Sequence, residues 1–255
     1  MHVLRQCGVP SSLQFSGKSV TQQIDEGIAF HAARGRSHGP YLAYFQSFSN
    51  TNAPLDHLRK VYGEALAHPA VSGIVIGTRP DCVDAEKLDY IASLGCARVE
   101  YGIESCRDET LLRVHRGHSF VCAERAVRET AARGIPVCGH FILGLPGETR
   151  ETLLEDIPRI NALPLDSVKF HQLQILKGTP MAAEFAAHPE DFVRWTLEEY
   201  IDLLCDILER LRPDIAVGRL AASVPPRYLA VPGWGVKSSE FSRLLDRRLA
   251  ERERL

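Results

Sequence analysis

Short apolar runs alternate along this chain with amphipathic helical periods, and nothing else in it constrains the fold as tightly. Runs at residues 41–45, 73–76, 97–103, 137–143 and 168–173 are rich in β-branched or aromatic residues and bounded by Gly, Pro or polar residues, which are strand signals. Between them lie helical periods. Val20, Ile24 and Ile28 repeat at i, i+4, i+8, and Leu55, Leu58, Val61, Tyr62 and Ala65 form one face behind Pro54. Leu88, Ile91 and Leu94 follow the second run, Ala123, Val127 and Ala131 the third, and Leu153, Leu154, Ile157 and Ile160 the fourth. A long last helix opens with Thr196 and Glu199 in capping-box spacing. Near-continuous apolar strands joined by helices imply an α/β fold with a parallel sheet and helices outside it. Right-handed crossovers leave two forms, an open doubly wound sheet or a barrel.

A chain of 255 residues suffices for one α/β barrel domain or two smaller domains. At 45% hydrophobic and 24% charged it can bury an ordinary core, and a formal net charge of −2 argues against salt-driven nucleic-acid binding. No apolar run approaches the roughly 18 residues of a membrane span. The N-terminus lacks a charged segment followed by an apolar one, so no signal peptide is expected. The seven cysteines are scattered and include no Cys-x-x-Cys pair, which fits a reducing cytoplasm and small buried hydrophobes better than a disulfide framework. No metal site follows from their spacing.

One domain is expected, with an irregular segment over residues 1–18, a core over 19–220 and a C-terminal extension over 221–255. A sixth run, 215–217, leads into that Pro-rich extension, and the charged helix over 241–255 reads as a solvated surface element. The first helix, starting near Ser19, has no strand ahead of it, although a crossover helix normally returns from one. A first strand is therefore expected to be missing.

In parallel barrels the functional groups lie at the C-terminal ends of the strands. There the chain carries Gln46 to Thr51, Gly77 to Asp81 with Arg79, and Glu104 followed by Arg116-Gly117-His118. The fourth run ends in Gly144-Leu145-Pro146-Gly147-Glu148, and Lys169 and His171 alternate on the fifth. The Gly144–Gly147 segment reads either as a plain strand-to-helix turn capped by Thr149 or as a loop letting backbone groups approach an adenine or phosphate. Arg79 either pairs with Asp81 at the surface or faces a substrate. Lys169 and His171 on a buried strand favour function, because charged groups there are costly without partners. His31, His38, His57, His68 and His188 read as surface residues.

The segments Tyr41-Leu-Ala-Tyr-Phe-Gln46, Gly77-Thr-Arg-Pro-Asp-Cys82, Glu100-Tyr-Gly-Ile-Glu-Ser105, Arg116-Gly-His118, Gly144-Leu-Pro-Gly-Glu148 and Lys169-Phe-His-Gln172, in this order and spacing, resemble a bacterial radical-SAM family of predicted iron–sulfur oxidoreductases. Its cores are similar to those of Elongator-type and coproporphyrinogen-type radical-SAM enzymes. The likeness runs from about Ser19 to Phe241. It implies a partial parallel (β/α)6 TIM-like barrel holding a [4Fe–4S] cluster and S-adenosylmethionine. The implied activity is reductive cleavage of that cofactor to start radical chemistry on an unidentified substrate, with a flavodoxin or ferredoxin as electron donor. By resemblance, Gln46 stands where relatives bind the methionine amino group, Glu104 where the ribose is bound, and Arg116 where an arginine pairs with the methionine carboxylate. His140 occupies a position often held by a ribose-binding acid, and Ile142 and Gly144 match the strand lining the adenine. Arg79, Lys169 and His171 are the substrate-side candidates, and no catalytic residue is assigned.

The departure is at the N-terminus. The family's three cluster cysteines lie ahead of the helix near Ser19, where this sequence has only Cys7, and cluster ligation needs three converging thiolates. Two accounts follow: a start written too late in an otherwise complete enzyme, or a cluster-free protein that binds S-adenosylmethionine or a nucleotide without catalysis. A third option is a metal-free lyase or aldolase using Lys169 or Lys177.

Overall fold

The computed structural model describes residues 17–35 and 39–253. Residues 1–16 of the irregular segment, the place of the expected missing strand, Cys7 and His38 fall outside that range. Among the described residues six strands form one sheet in the order β1 to β6, which is also their order in the chain. The strands are β1 (Tyr41–Phe45), β2 (Val71–Thr78), β3 (Ala97–Glu104), β4 (Val137–Leu143), β5 (Ser167–Gln172) and β6 (Ala216–Arg219). They run parallel, with Phe45 opposite Ile76 and Ile76 opposite Val99 in the first three. No helix among the described residues is long and apolar enough to cross a membrane.

The chain divides into two compact units, residues 1–103 with 121–139 and residues 104–120 with 140–255. In the first, α1 (Val20–Ala32) starts at Ser19, whose hydroxyl takes the Gln22 amide while the Gln22 side chain takes the amide of Ser19. The helix α2 (Leu55–Leu66) buries Leu58, Val61, Tyr62 and Ala65, the predicted face, behind Pro54 at its N-cap. The helix α3 (Ala85–Ser93) is capped by Asp84 and buries Leu88 and Ile91. Phe45 packs edge-on to Tyr62 with ring centroids 5.1 Å apart. His68 departs from the expected surface placement: its ring is 10% exposed and bonds to Asp25 at 3.0 Å.

The second unit contains α4 (Asp108–Arg113), and α5 (Phe120–Ala131) begins at its edge. After β4 come α6 (Arg150–Glu155) and α7 (Ile157–Asn161), then α8 (Pro180–Ala187) and α9 (Leu197–Arg210). Thr149, Thr179 and Thr196 cap α6, α8 and α9, the last in the predicted box with Glu199. The terminal helix α10 (Ser238–Arg252) is not merely solvated. It buries Phe241 and Leu245, one turn apart, and its Phe241 ring lies 6.2 Å from both Tyr200 of α9 and Trp234. Arg248 and Arg252 of α10 reach Asp202 on α9 at 2.7 and 3.2 Å.

Candidate functional site

Strand parity decides which side chains reach the same face. On β4, Phe141 and Leu143 are buried, whereas His140 and Ile142 are half-buried and lead to Gly144. On β5, Phe170 is buried, whereas Lys169 and His171 are half-buried. The His140 and His171 rings approach to 5.8 Å between centroids, so these two candidates come together. A side chain added at Gly218 of β6 would meet Lys169 Cγ and Cε at 3.5 Å, so the lysine stem lies along that glycine.

Glu104 ends β3 with φ of 70°, a left-handed conformation that costs a non-glycine residue about 1–3 kcal/mol and persists only where the surroundings impose it. Two backbone bonds shape the end of α4. The amide of His115 donates to the Leu112 carbonyl, and that of Arg116 donates to the Leu111 carbonyl at 2.9 Å. Together they form a Schellman turn in which His115, at φ of 52°, takes the place usually given to glycine. The turn sends Arg116 back over β3, where its Nη2 lies 3.0 Å from Glu104 Oε1. Burial raises the Glu104 carboxyl above its ordinary value, and the charges of Arg116 and His140 oppose that rise.

The Gly144–Gly147 turn is closed from within by Glu148. Glu148 Oε2 accepts the amides of Gly144 and Leu145 at 3.3 and 3.0 Å, and Oε1 accepts the Ser105 hydroxyl at 2.6 Å. These two amides are therefore engaged by the chain's own carboxylate, and Thr149 caps the helix that follows. Burial pushes the Glu148 carboxyl up to about 7, although all three hydrogen bonds pull it down. Gly144 has φ of 90°, and a Cβ there would fall 2.9 Å from Trp195 Nε1, so the position admits only glycine against the indole. That Nε1 is a buried donor with no hydrogen-bond partner among the described residues. Glu148, Ser105 and Trp195 were not among the candidates. Glu148 and Ser105 stood inside quoted motifs, but nothing in the sequence signals Trp195.

The candidates of the first unit form their own arrangement. Gln46 is exposed just past β1, and the loop after it is pinned at several points. Asn50 Nδ2 donates to the Phe45 and Gly77 carbonyls at 2.9 and 2.8 Å, the Thr51 and Thr78 hydroxyls share a 2.6 Å bond, and the Tyr62 hydroxyl donates to the Asn50 carbonyl. This clamp holds Phe48 at φ of 62° with 67% of its surface exposed. Arg79 makes a two-pronged pair with Asp81, through Nε to Oδ1 at 2.8 Å and Nη2 to Oδ2.

The described cysteines are all free, and they occupy separate elements. Cys82, Cys106, Cys138 and Cys205 are buried, and burial pushes the thiols of Cys106, Cys122 and Cys205 upward, away from the thiolate form.

A family model of the Radical SAM superfamily matches residues 7–158, and one of the Radical SAM C-terminal domain matches residues 165–251. The uncharacterized protein YtqA of Bacillus subtilis is 34% identical over 254 residues, which is 96% of this chain and 77% of that protein. Protein YhcC of Escherichia coli is 33% identical over 217 residues, 84% of this chain and 70% of its own. Among solved structures, the archaeal Elp3 of Methanocaldococcus infernus superposes with a TM-score of 0.77 at 18% identity, covering 92% of this chain and 59% of that one. Coproporphyrinogen III oxidase (HemN) of Escherichia coli does so with a TM-score of 0.52 at 17% identity, over 63% and 37%. The chain thus spans less than two thirds of these solved relatives. The fold is the partial parallel barrel they share, as the sequence led one to expect.

Proposed function

The chain belongs to the radical SAM superfamily, and from that premise we propose that it binds S-adenosylmethionine at the C-terminal ends of β3 and β4 and uses it enzymatically. The observation that carries this reading is the Glu104–Arg116 pair beside His140. A carboxylate suits the hydroxyls of a ribose. A guanidinium beside it has the forked geometry that suits a carboxylate. The unpartnered Trp195 Nε1, packed on Gly144, offers a donor and a flat wall to a purine. When bound, S-adenosylmethionine supplies a sulfonium that members of the superfamily cleave reductively to start radical chemistry. The residues of this chain hold and orient the cofactor. Lys169 and His171, on the same sheet face, are the substrate-side groups.

The cluster is a different case. Three thiolates must converge on it, and the described cysteines, separate and with several thiols raised by burial, do not fit one.

Calorimetric titration with S-adenosylmethionine tests the reading. Arg116→Ala should weaken binding by about 1.5–3 kcal/mol, on the order of ten- to a hundredfold, because a charge-assisted bond is lost. Arg125→Ala, exposed on α5, should change it little. Equal losses in the two variants, or no saturable binding by the parent protein, would remove the assignment.

A further inference from the structure

One cavity is lined by none of the candidate residues themselves. It is a cavity of about 650 Å³ at the C-terminal ends of β5 and β6, roofed by α10, and it falls within the range of small-molecule sites. Its walls are fixed by the backbone. The segment after β6 returns beside the one after β5 through a bridge between Leu176 and Leu229. The Lys177 amide donates to Tyr228 and the Ala230 amide to Ile175, each at 2.8 Å. Gln172 clamps Ala222 with both ends of its carboxamide, accepting from its amide at 2.8 Å and donating to its carbonyl at 2.9 Å.

Three features of the lining define what would fit. Trp234 and Phe241 present parallel rings, inclined by 7°, and the Trp234 Nε1 is already donated to the Trp195 carbonyl, which leaves the indole in the wall as an apolar face. Arg219 and Asp246 both line the space with opposite charge, so no net charge is selected. Gln174 donates its Nε2 to the Ala222 carbonyl at 3.2 Å, which fixes the orientation of its amide. Its Oε1 is then a buried acceptor with no hydrogen-bond partner among the described residues. An unmet buried acceptor is costly unless a donor arrives.

We propose that this cavity is a ligand site for an uncharged molecule carrying a flat ring and an O–H or N–H donor, the ring against Trp234 and Phe241 and the donor on Gln174 Oε1. Binding here needs neither cluster nor S-adenosylmethionine, so it stands apart from the reading above.

Two probes that differ only in the donor test it: 2-naphthol and 2-methoxynaphthalene, titrated into the intact protein by ligand-observed NMR. The naphthol should bind more tightly by about fivefold to tenfold, the worth of one hydrogen bond. Gln174→Met keeps volume and removes the acceptor, while Gln172 still holds Ala222. This variant should bind both probes at the weaker level with its thermal melt preserved. Equal binding of the probes to the parent protein, no saturable binding of either, or a preference that survives Gln174→Met would overturn the proposal. Displacement of the naphthol by S-adenosylmethionine would overturn it as well, by merging the two sites.

Discussion

Glu148 holds its turn by accepting three hydrogen bonds while only 2% exposed, so burial and bonding pull its proton affinity in opposite directions. Burial wins, and the carboxyl in the folded protein stands at about 7 against an ordinary 4.5. A raised carboxyl favours the folded state fully at pH below the unfolded value. That advantage drains away as pH climbs through about 4.5 to 7 and is gone above it. The shift corresponds to something on the order of 3 kcal/mol. Thermal melts of the parent protein and of Glu148→Gln, which cannot ionise, should therefore diverge with pH. The parent should lose ground to the variant between about pH 5 and 7 and stay level with pH beyond 8. A constant gap across that window would mean that Glu148 is not the titrating group.

Helix α10 shows how an element can be found and yet misjudged. Its charge density reads as solvated, because seven charged positions hide an i, i+4 apolar pair. Phe241 and Leu245 are nevertheless buried, and they decide its energetics. The ion pairs it makes with α9, exposed or half-buried, are each worth about 1 kcal/mol or less, whereas Phe241→Ala should cost about 3–5 kcal/mol in denaturant unfolding. Arg243→Ala, on the exposed face, should stay within about 0.5 kcal/mol. A loss from Phe241→Ala no larger than that from Arg243→Ala would restore the solvated picture. Elements defined by side-chain pattern were legible: β1 and β4 match their apolar runs end to end, and the caps expected at Thr149 and Thr196 form. Strand ends set by backbone pairing were not. β2 starts two residues before its apolar run because Val71 pairs with Tyr41, and β6 shifts to Ala216–Arg219, mostly exposed, because those residues pair with β5. The candidate cluster divides in the same way. Glu104 and Arg116 stood out by their place at and after the end of the third run and by the family resemblance, and they lie together, while Trp195 reaches Gly144 only through tertiary packing that leaves no trace in local sequence.

The division into two compact units passes through β3 and β4 themselves, with Ile103 and Glu104 on opposite sides of it, as are Gly139 and His140. A strand cannot melt on one side of such a line and keep its hydrogen-bond ladder on the other. Calorimetry should accordingly record one unfolding transition, with calorimetric and van't Hoff enthalpies in agreement. Two resolved transitions would show that the units are independent folding bodies. The sheet has a further property, since spatial order and chain order coincide from β1 to β6. Every strand after β1 is laid against the one made just before it, so each addition closes only the loop of a single crossover, and closure entropy grows slowly with loop length. During synthesis, which releases roughly 5–20 residues per second, the ribosome hands over each strand when its docking edge has already been delivered. No strand has to be held waiting for a partner encoded far downstream.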